Sequence, residues 1–351
     1  MKARIAAIVY VILAALLGCV VLVKALPRPR LSGPASAESG EQISTPEMIG
    51  EGVISTDEDE FGGGVTPDGK TLIFCRSAAP HYLYVMGESR LVDGKWSKPE
   101  MLPFSGQYRD TDPVIAPDGK SILFASDRPV KGQDLHRWSI WRASRLSETK
   151  WGEPEWVAGT VNSEGNQVFA SVAANGNMYI ASSRKTGDYD VFRSRLMDGK
   201  YLEVEDLGSN LNGPGIDTFE ALIAPDESYL LMGSFGRPSG YGSSDLWVSF
   251  PEGQGWSKPI NLGAKINGKA RDYSPRVTAD GQWLYFTSER SFLDGEREQP
   301  FTFEEFRQGL GSISNGLGNL YRVPLQPVLE AARHSVSKMG RTSNGGSGAQ
   351  N

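Results

Sequence analysis

Ala116-Pro117-Asp118-Gly119-Lys120-Ser121-Ile122-Leu123-Phe124 decides the fold, because four other stretches of the chain repeat its plan. Thr66-Pro67-Asp68-Gly69-Lys70 leads into Leu72-Ile73-Phe74, and Ala174-Asn175-Gly176-Asn177 leads into Met178-Tyr179-Ile180. Ala224-Pro225-Asp226-Glu227 leads into Tyr229-Leu230-Leu231, and Ala279-Asp280-Gly281-Gln282 into Trp283-Leu284-Tyr285-Phe286. Asp-Gly and Asn-Gly reach positive φ without strain, and the apolar residues that follow suit a pleated surface, so each stretch reads as a β-hairpin. The turn residues 68, 118, 175, 226 and 280 are 50, 57, 51 and 54 positions apart. A period in that range marks one supersecondary unit used over and over.

Other features keep the same register. A polar lead-in precedes each turn, at Glu60-Phe61, Asp110-Thr111-Asp112-Pro113, Asn166-Gln167-Val168-Phe169, Asp217-Thr218-Phe219-Glu220 and Asp272-Tyr273-Ser274-Pro275. A Ser/Arg corner follows the second strand, as in Ser126-Asp127-Arg128, Ser182-Ser183-Arg184, Ser234-Phe235-Gly236-Arg237 and Ser288-Glu289-Arg290. Third strands are expected at Tyr82 to Val85, Ser139 to Arg142, Asp190 to Arg193, Asp245 to Val248 and Asn319 to Arg322. Three units add Trp-x-x-Pro, at Trp96, Trp151 and Trp256, and Tyr201 takes that place in the third.

This order of motifs over roughly residues 45 to 325 resembles the TolB-type, WD40-like propeller repeat. The resemblance implies an all-β propeller of antiparallel four-stranded blades and, by itself, no particular activity. Five units predict five blades; six, common in that family, is the alternative. The fifth unit ends after Leu325 without an outer strand, while Thr45-Pro46-Glu47-Met48-Ile49-Gly50 resembles the outer-strand segments of other units. The N-terminal segment is therefore expected to complete the last blade and close the ring.

Residues 1–24 hold a charge-free run of 19 residues, Ile5 to Val23, behind Lys2 and Arg4. At ~1.5 Å per residue such a helix is about 28 Å long, enough to span a bilayer. Three readings stand: an uncleaved anchor, a lipoprotein signal with Cys19 acylated in Leu16-Leu17-Gly18-Cys19, or a signal cleaved near Ala35-Ser36-Ala37. Residues 25–44 are a Pro/Ser/Gly/Glu-rich tether. A membrane-held domain outside the cytoplasm is the expectation, and Cys75, the other cysteine, is expected as a buried thiol. From residue 25 onward there are 33 basic and 42 acidic residues with no Lys/Arg cluster, so nucleic acid is not an expected partner. The propeller is expected to be a monomer.

Several motifs are set aside on physical grounds. Gly64 to Thr71 spells a phosphate loop, but a strand follows where such a loop needs a helix. Asp57-x-Asp59 lacks the flanking helices of a calcium loop and reads as a solvated acidic edge. No G-x-S-x-G or H-E-x-x-H occurs, and His81, His136 and His334 suggest no common site, so neither a metal nor a cofactor is expected. The insertion 291–317 carries Phe301, Phe303 and Phe306, with Thr302 as N-cap of a short helix; these rings either pack on their own blade or offer a partner surface. A short helix to Met339 is expected within residues 326–351, with the rest a tail.

The lead-in carboxylates are the candidate site. Glu60, Asp110, Asp217 and Asp272 lie eight or nine residues before their turns, and with Glu220 they could ring one mouth of the channel. Alternatively they pair with the corner arginines Arg128, Arg184, Arg237 and Arg290, since buried charge persists only when paired. Three functions follow in order of preference: a module that binds a protein partner or a small ligand at the propeller face, a carbohydrate-active enzyme using those carboxylates, and a periplasmic sensor.

Overall fold

The computed structural model describes residues 43–78, 82–132, 137–185 and 187–344, the last nine of these by backbone only. Five antiparallel blades follow one another. Their innermost strands are Asp59–Val65, Asp110–Ile115, Gln167–Val172, Asp217–Ile223 and Asp272–Val277. Each pairs with a middle strand, then a third strand, then a two-residue outer strand. The chain is a five-bladed β-propeller.

The hairpin turns show why the repeat has its sequence. The carboxylates of Asp68, Asp118, Asp226 and Asp280 and the amide oxygen of Asn175 each accept the backbone N–H two residues on, at 3.0 Å. That bond fixes the turn, and the next residue takes positive φ: 71° at Gly69, 68° at Gly119 and 68° at Gly281. Blade four puts Glu227 there, at φ 58°. Its carboxylate holds Asn175, Asn177 and Tyr179 of blade three, which offsets the strain by stapling neighbouring blades.

Closure comes from the opposite end of the chain. Glu47–Met48 forms the outer strand of blade five, with Glu47 opposite Arg322 and Met48 opposite Tyr321. Ile49 N–H donates to Leu320 O at 2.8 Å, and Ile49 and Ile54 are buried against Leu72, Phe74 and Leu320. Between blades the faces interlock through apolar residues, as where Leu123, Ala125 and Ile140 meet Ala170, Met178, Ile180 and Phe192. Each such side chain removed from water contributes about 1.5–3 kcal/mol.

Among the described residues two α-helices lie outside the blades. Helix α1, Phe303–Leu310, has Thr302 as N-cap, with Thr302 and Glu305 forming a capping box. Phe292, Phe301 and Phe306 pack together, whereas Phe303 is 84% exposed. Phe303 and Phe306 therefore do not share a buried face. Helix α2, Leu325–Asn344, runs five residues beyond the expected end at Met339. Pro327 falls in its first turn, where the missing N–H costs nothing, and Leu325, Val328, Leu329 and Ala332 are buried with Phe250, Ile260 and Leu262. Among the described residues no helix is long and apolar enough to cross a membrane; residues 1–24, with Cys19, lie outside them, as do His81 and His136.

Candidate functional site

The lead-in residues occupy one register position. Glu60 faces Arg76, and Asp110, Gln167, Thr218 and Asp272 face Ser126, Ser182, Ser234 and Ser288. Their side chains point into the blades, away from the channel. Asp110, fully buried, binds Arg128 Nη2 at 2.6 Å and accepts from Ser126 and Ser105. Glu60 accepts from Thr56 N–H and Oγ1 and pairs with Arg76 Nε at 3.1 Å. Asp272 accepts from Gly268 N–H, with Arg290 3.8 Å away. In blades three and four the corner arginines find neutral partners, Arg184 bonding Ser182 and Arg237 bonding Ser234 and Thr218. Asp217, one residue earlier, accepts from Tyr189 N–H. Burial pushes Glu60, Asp110 and Asp217 above the usual carboxylate range and Asp272 up to about 6. Glu60, Asp110, Asp217 and Asp272 are thus braces between strands and do not ring the channel.

The channel face belongs to their neighbours, because successive residues of a strand point opposite ways. Asp59 and Phe61 flank Glu60, Arg271 and Tyr273 flank Asp272, and Thr111, Val168 and Phe219 follow the lead-ins of the other blades. Together with Asp112, Glu220, Tyr84, Trp138 and Tyr189 they line a cavity of about 280 Å³ that draws on all five innermost strands. Tyr84, Trp138 and Tyr189 share one position at the start of the third strand in blades one to three. Blades four and five carry Ser244 and Gly318 there, so the aromatic rim covers one side of the mouth. Asp59, expected on a solvated edge, is buried and accepts from Ser77 Oγ and Gly318 N–H.

Bulges aim the deeper groups. Every innermost strand shifts register near its middle. Gly62, Asp112 and Ser274 take positive φ at the bulges of blades one, two and five, at 66°, 54° and 53°. In blade four Phe219 is the extra residue, which turns Glu220 onto the channel face opposite Gly233; a Cβ there would collide with the Glu220 carboxyl. Glu220 accepts from Ser274 N–H at 2.5 Å and from Ser274 Oγ at 2.6 Å. It also hydrogen bonds to Asp112, which accepts from Thr111 Oγ1 at 3.0 Å. Two carboxyls bond to each other only if one keeps a proton. Burial, reinforced by the Asp112 charge, pushes Glu220 up to about 8, and burial raises Asp112 against the pull of Arg276.

Arg276 closes the floor. It is 3% exposed, donates from Nε to Pro113 O and from Nη1 to Pro275 O at 2.9 Å each, and lies 4.8 Å over the Phe169 ring. Its side chain therefore crosses from blade five toward blades two and three. Below it a smaller cavity of about 70 Å³ opens among Val65, Pro67, Ile115, Val172, Ile223 and Val277. Cationic groups already face the rings above: Arg271 lies 4.3 Å over Tyr273 and pairs with Glu289, and Arg109 lies 4.9 Å over Trp138 and pairs with Asp127.

Of the sequence candidates only Glu220 reaches this cavity. Phe301, Phe303 and Phe306 belong to the insertion and do not line it. Among the described residues no group of three or more His, Cys, Asp and Glu is arranged to hold a metal ion. Cys75 is buried, and burial raises its thiol well above its ordinary range.

No protein-family model matches this chain, and no curated protein sequence does. Among solved structures it is similar to a protein described as a TolB from Agrobacterium tumefaciens, with 14% identity, 76% of this chain and 90% of that one covered, and a TM-score of 0.45. It is also similar to the GH43 endo-arabinanase from Bacillus licheniformis, at 13% identity over 77% of this chain and 95% of that one, TM-score 0.46. The α-L-arabinofuranosidase PaAbf62A from Podospora anserina is matched at 10% identity over 81% and 94%, TM-score 0.45. The likeness to TolB is found at the level of the propeller fold.

Proposed function

We propose that the protein is a monomeric, membrane-tethered, extracytoplasmic propeller that works as a binding module, receiving a small ligand or a side chain of a protein partner in the aromatic mouth cavity. The observation that carries this reading is the cavity itself: five strands converge on it, and six of its twelve lining residues are aromatic while four are charged, a combination of apolar wall and fixed polar groups that suits a recognition pocket. The apolar run Ile5 to Val23 and the tether behind it support attachment to a membrane. Trp138 provides the test, since it lines the cavity at its rim. Titration with ligands of varied charge should change its fluorescence and raise the melting temperature, and Tyr84→Ala should weaken both effects at least several-fold. A panel that binds equally well to wild type and to the Tyr84 and Tyr273 alanine variants would reject the mouth as the site.

A second reading is favoured by one observation, the Asp112–Glu220 carboxyl pair. Glycoside hydrolysis needs two carboxyls about 5–10 Å apart, with room between them for a sugar carbon or a water. Here the two are in hydrogen-bond contact, so the pair suits holding a proton better than flanking a scissile bond. Glycan turnover that is abolished by both Asp112→Asn and Glu220→Gln would reverse that ranking.

A further inference from the structure

Resting on the mouth as the binding site, we infer that its ligand is a primary ammonium group on a slim chain, seated over the aromatic walls with its donors against the Asp112 carboxylate.

The charge around the cavity points this way. Asp59, Asp112 and Glu220 line it and Arg271 is the lining residue of opposite sign. Glu289 stands behind Arg271, Arg276 lies beneath, and Tyr273 and Cys75 are buried beside them. With every acid ionised, the four carboxylates outnumber the two guanidiniums, and a bound cation would offset the excess. A neutral ligand would not.

Geometry gives the cation a place. Oδ1 of Asp112 is buried and accepts from no backbone N–H or hydroxyl among the described residues, and its ion-pair partner Arg276 Nη2 stands 3.7 Å off, too far to hydrogen bond. Asp112 holds that carboxylate at the bulge of blade two, at φ 54°. The walls suit the same guest. Phe61, Tyr84, Trp138, Phe219 and Tyr273 form a continuous set of ring contacts at 5.9–6.4 Å. Three of these rings, Trp138, Phe219 and Tyr273, already carry a guanidinium on a face, so the mouth accepts cations over its rings. An ammonium with a narrow alkyl stem can put its methylenes against the rings and its three donors at the floor.

Burial keeps a proton on the pair at neutral pH, so an ammonium that replaces it must send that proton to the solvent. Binding of the ammonium is then linked to pH, and binding of a neutral sugar is not. The experiment is calorimetric titration of the full chain with n-butylammonium, Nα-acetyl-lysinamide, alanyl-alaninamide and methyl β-glucoside. Each is run at pH 6, 7 and 8 in two buffers of different ionisation enthalpy. The expected result is binding of an ammonium probe with release of close to one proton and an affinity that rises about tenfold per pH unit up to pH 8. Acetyl-lysinamide binding better than the dipeptide assigns the ammonium to a lysine side chain, and the reverse order assigns it to a free N-terminus. Asp112→Asn, which keeps a residue tolerant of positive φ, should cut affinity at least tenfold, and Glu220→Gln should remove the pH dependence. Ammonium binding without proton release, or binding unaffected by Asp112→Asn, overturns the inference. Glucoside binding at the mouth with no ammonium binding overturns it too, while leaving the mouth as the recognition site; failure of every probe to perturb Trp138 removes both.

Discussion

Replacing Glu220 by Gln should make the protein more stable in alkali and leave it unchanged in acid. Glu220 is 1% exposed and its carboxyl is pushed from 4.5 up to about 8 in the folded chain. Because the folded value lies above the unfolded one, the stabilising contribution is complete below about pH 4.5 and is lost as pH rises through about 8. A shift of roughly 3.5 units at about 1.4 kcal/mol each sets a ceiling near 5 kcal/mol. The proton is shared with Asp112, so the part lost with this side chain lies below that ceiling, on the order of 2 kcal/mol. Glutamine imitates the protonated acid: its oxygen accepts from Ser274 N–H, and its NH2 group donates to Asp112. Melting temperature measured from pH 5 to 9 should therefore coincide for the two proteins at pH 5. At pH 9 the variant should lie about 4 °C higher, taking roughly 2 °C per kcal/mol for a domain of this size. Carboxylates elsewhere whose values are lowered, such as Asp68 and Asp280, change both curves alike and cancel in the difference. Parallel curves across the whole range would refute the shared proton.

Arg128→Met should cost on the order of 3–5 kcal/mol, because Asp110 is left ionised and buried without its partner. The added change Asp110→Asn should recover much of that loss in urea unfolding, a double-mutant cycle that simple loss of packing would not reproduce. Gly236→Ala should destabilise blade four by several kcal/mol: φ is 75°, and the new Cβ would run into the carbonyl oxygen of Gly215. Hydrogen exchange should then show the corner around Arg237 opening first. Ile54→Ala, at a fully buried position beneath the closing strand, should cost about 2–5 kcal/mol and speed exchange of the Ile49 amide, which bonds to Leu320. An unchanged Ile49 exchange rate would mean that the closure holds independently of that packing.

The blades could be read from sequence because each depends on local chemistry: an Asx turn, a positive-φ residue and an apolar run. Closure was also legible, since Thr45 to Gly50 shares its pattern with the outer strands. The site was less so, for a reason of parity. Glu60, Asp110 and Asp272 were conspicuous as acids, but alternation along a strand places one residue in the blade and the next in the channel. Asp59 with Phe61 and Arg271 with Tyr273 were the signal that could have found the mouth, as were Tyr84, Trp138 and Tyr189 at one place in successive units. Asp112 and Glu220 could not be assigned by alternation alone, because bulges reset the parity between them and their lead-ins. Arg276 carried no sequence signal at all; its reach across the axis is held by the carbonyls of Pro113 and Pro275, and it passes beside Gly62 and Gly64 of blade one.

That crossing guanidinium has a kinetic corollary. The tunnel is a cul-de-sac: whatever comes in past Tyr84 and Trp138 has to back out by the same route, so arrival and departure share a single doorway and a second guest must wait for the first. Passage to the Pro67 side would require the Arg276 guanidinium to leave the carbonyls of Pro113 and Pro275, so the two cavities fill as separate compartments while it stays.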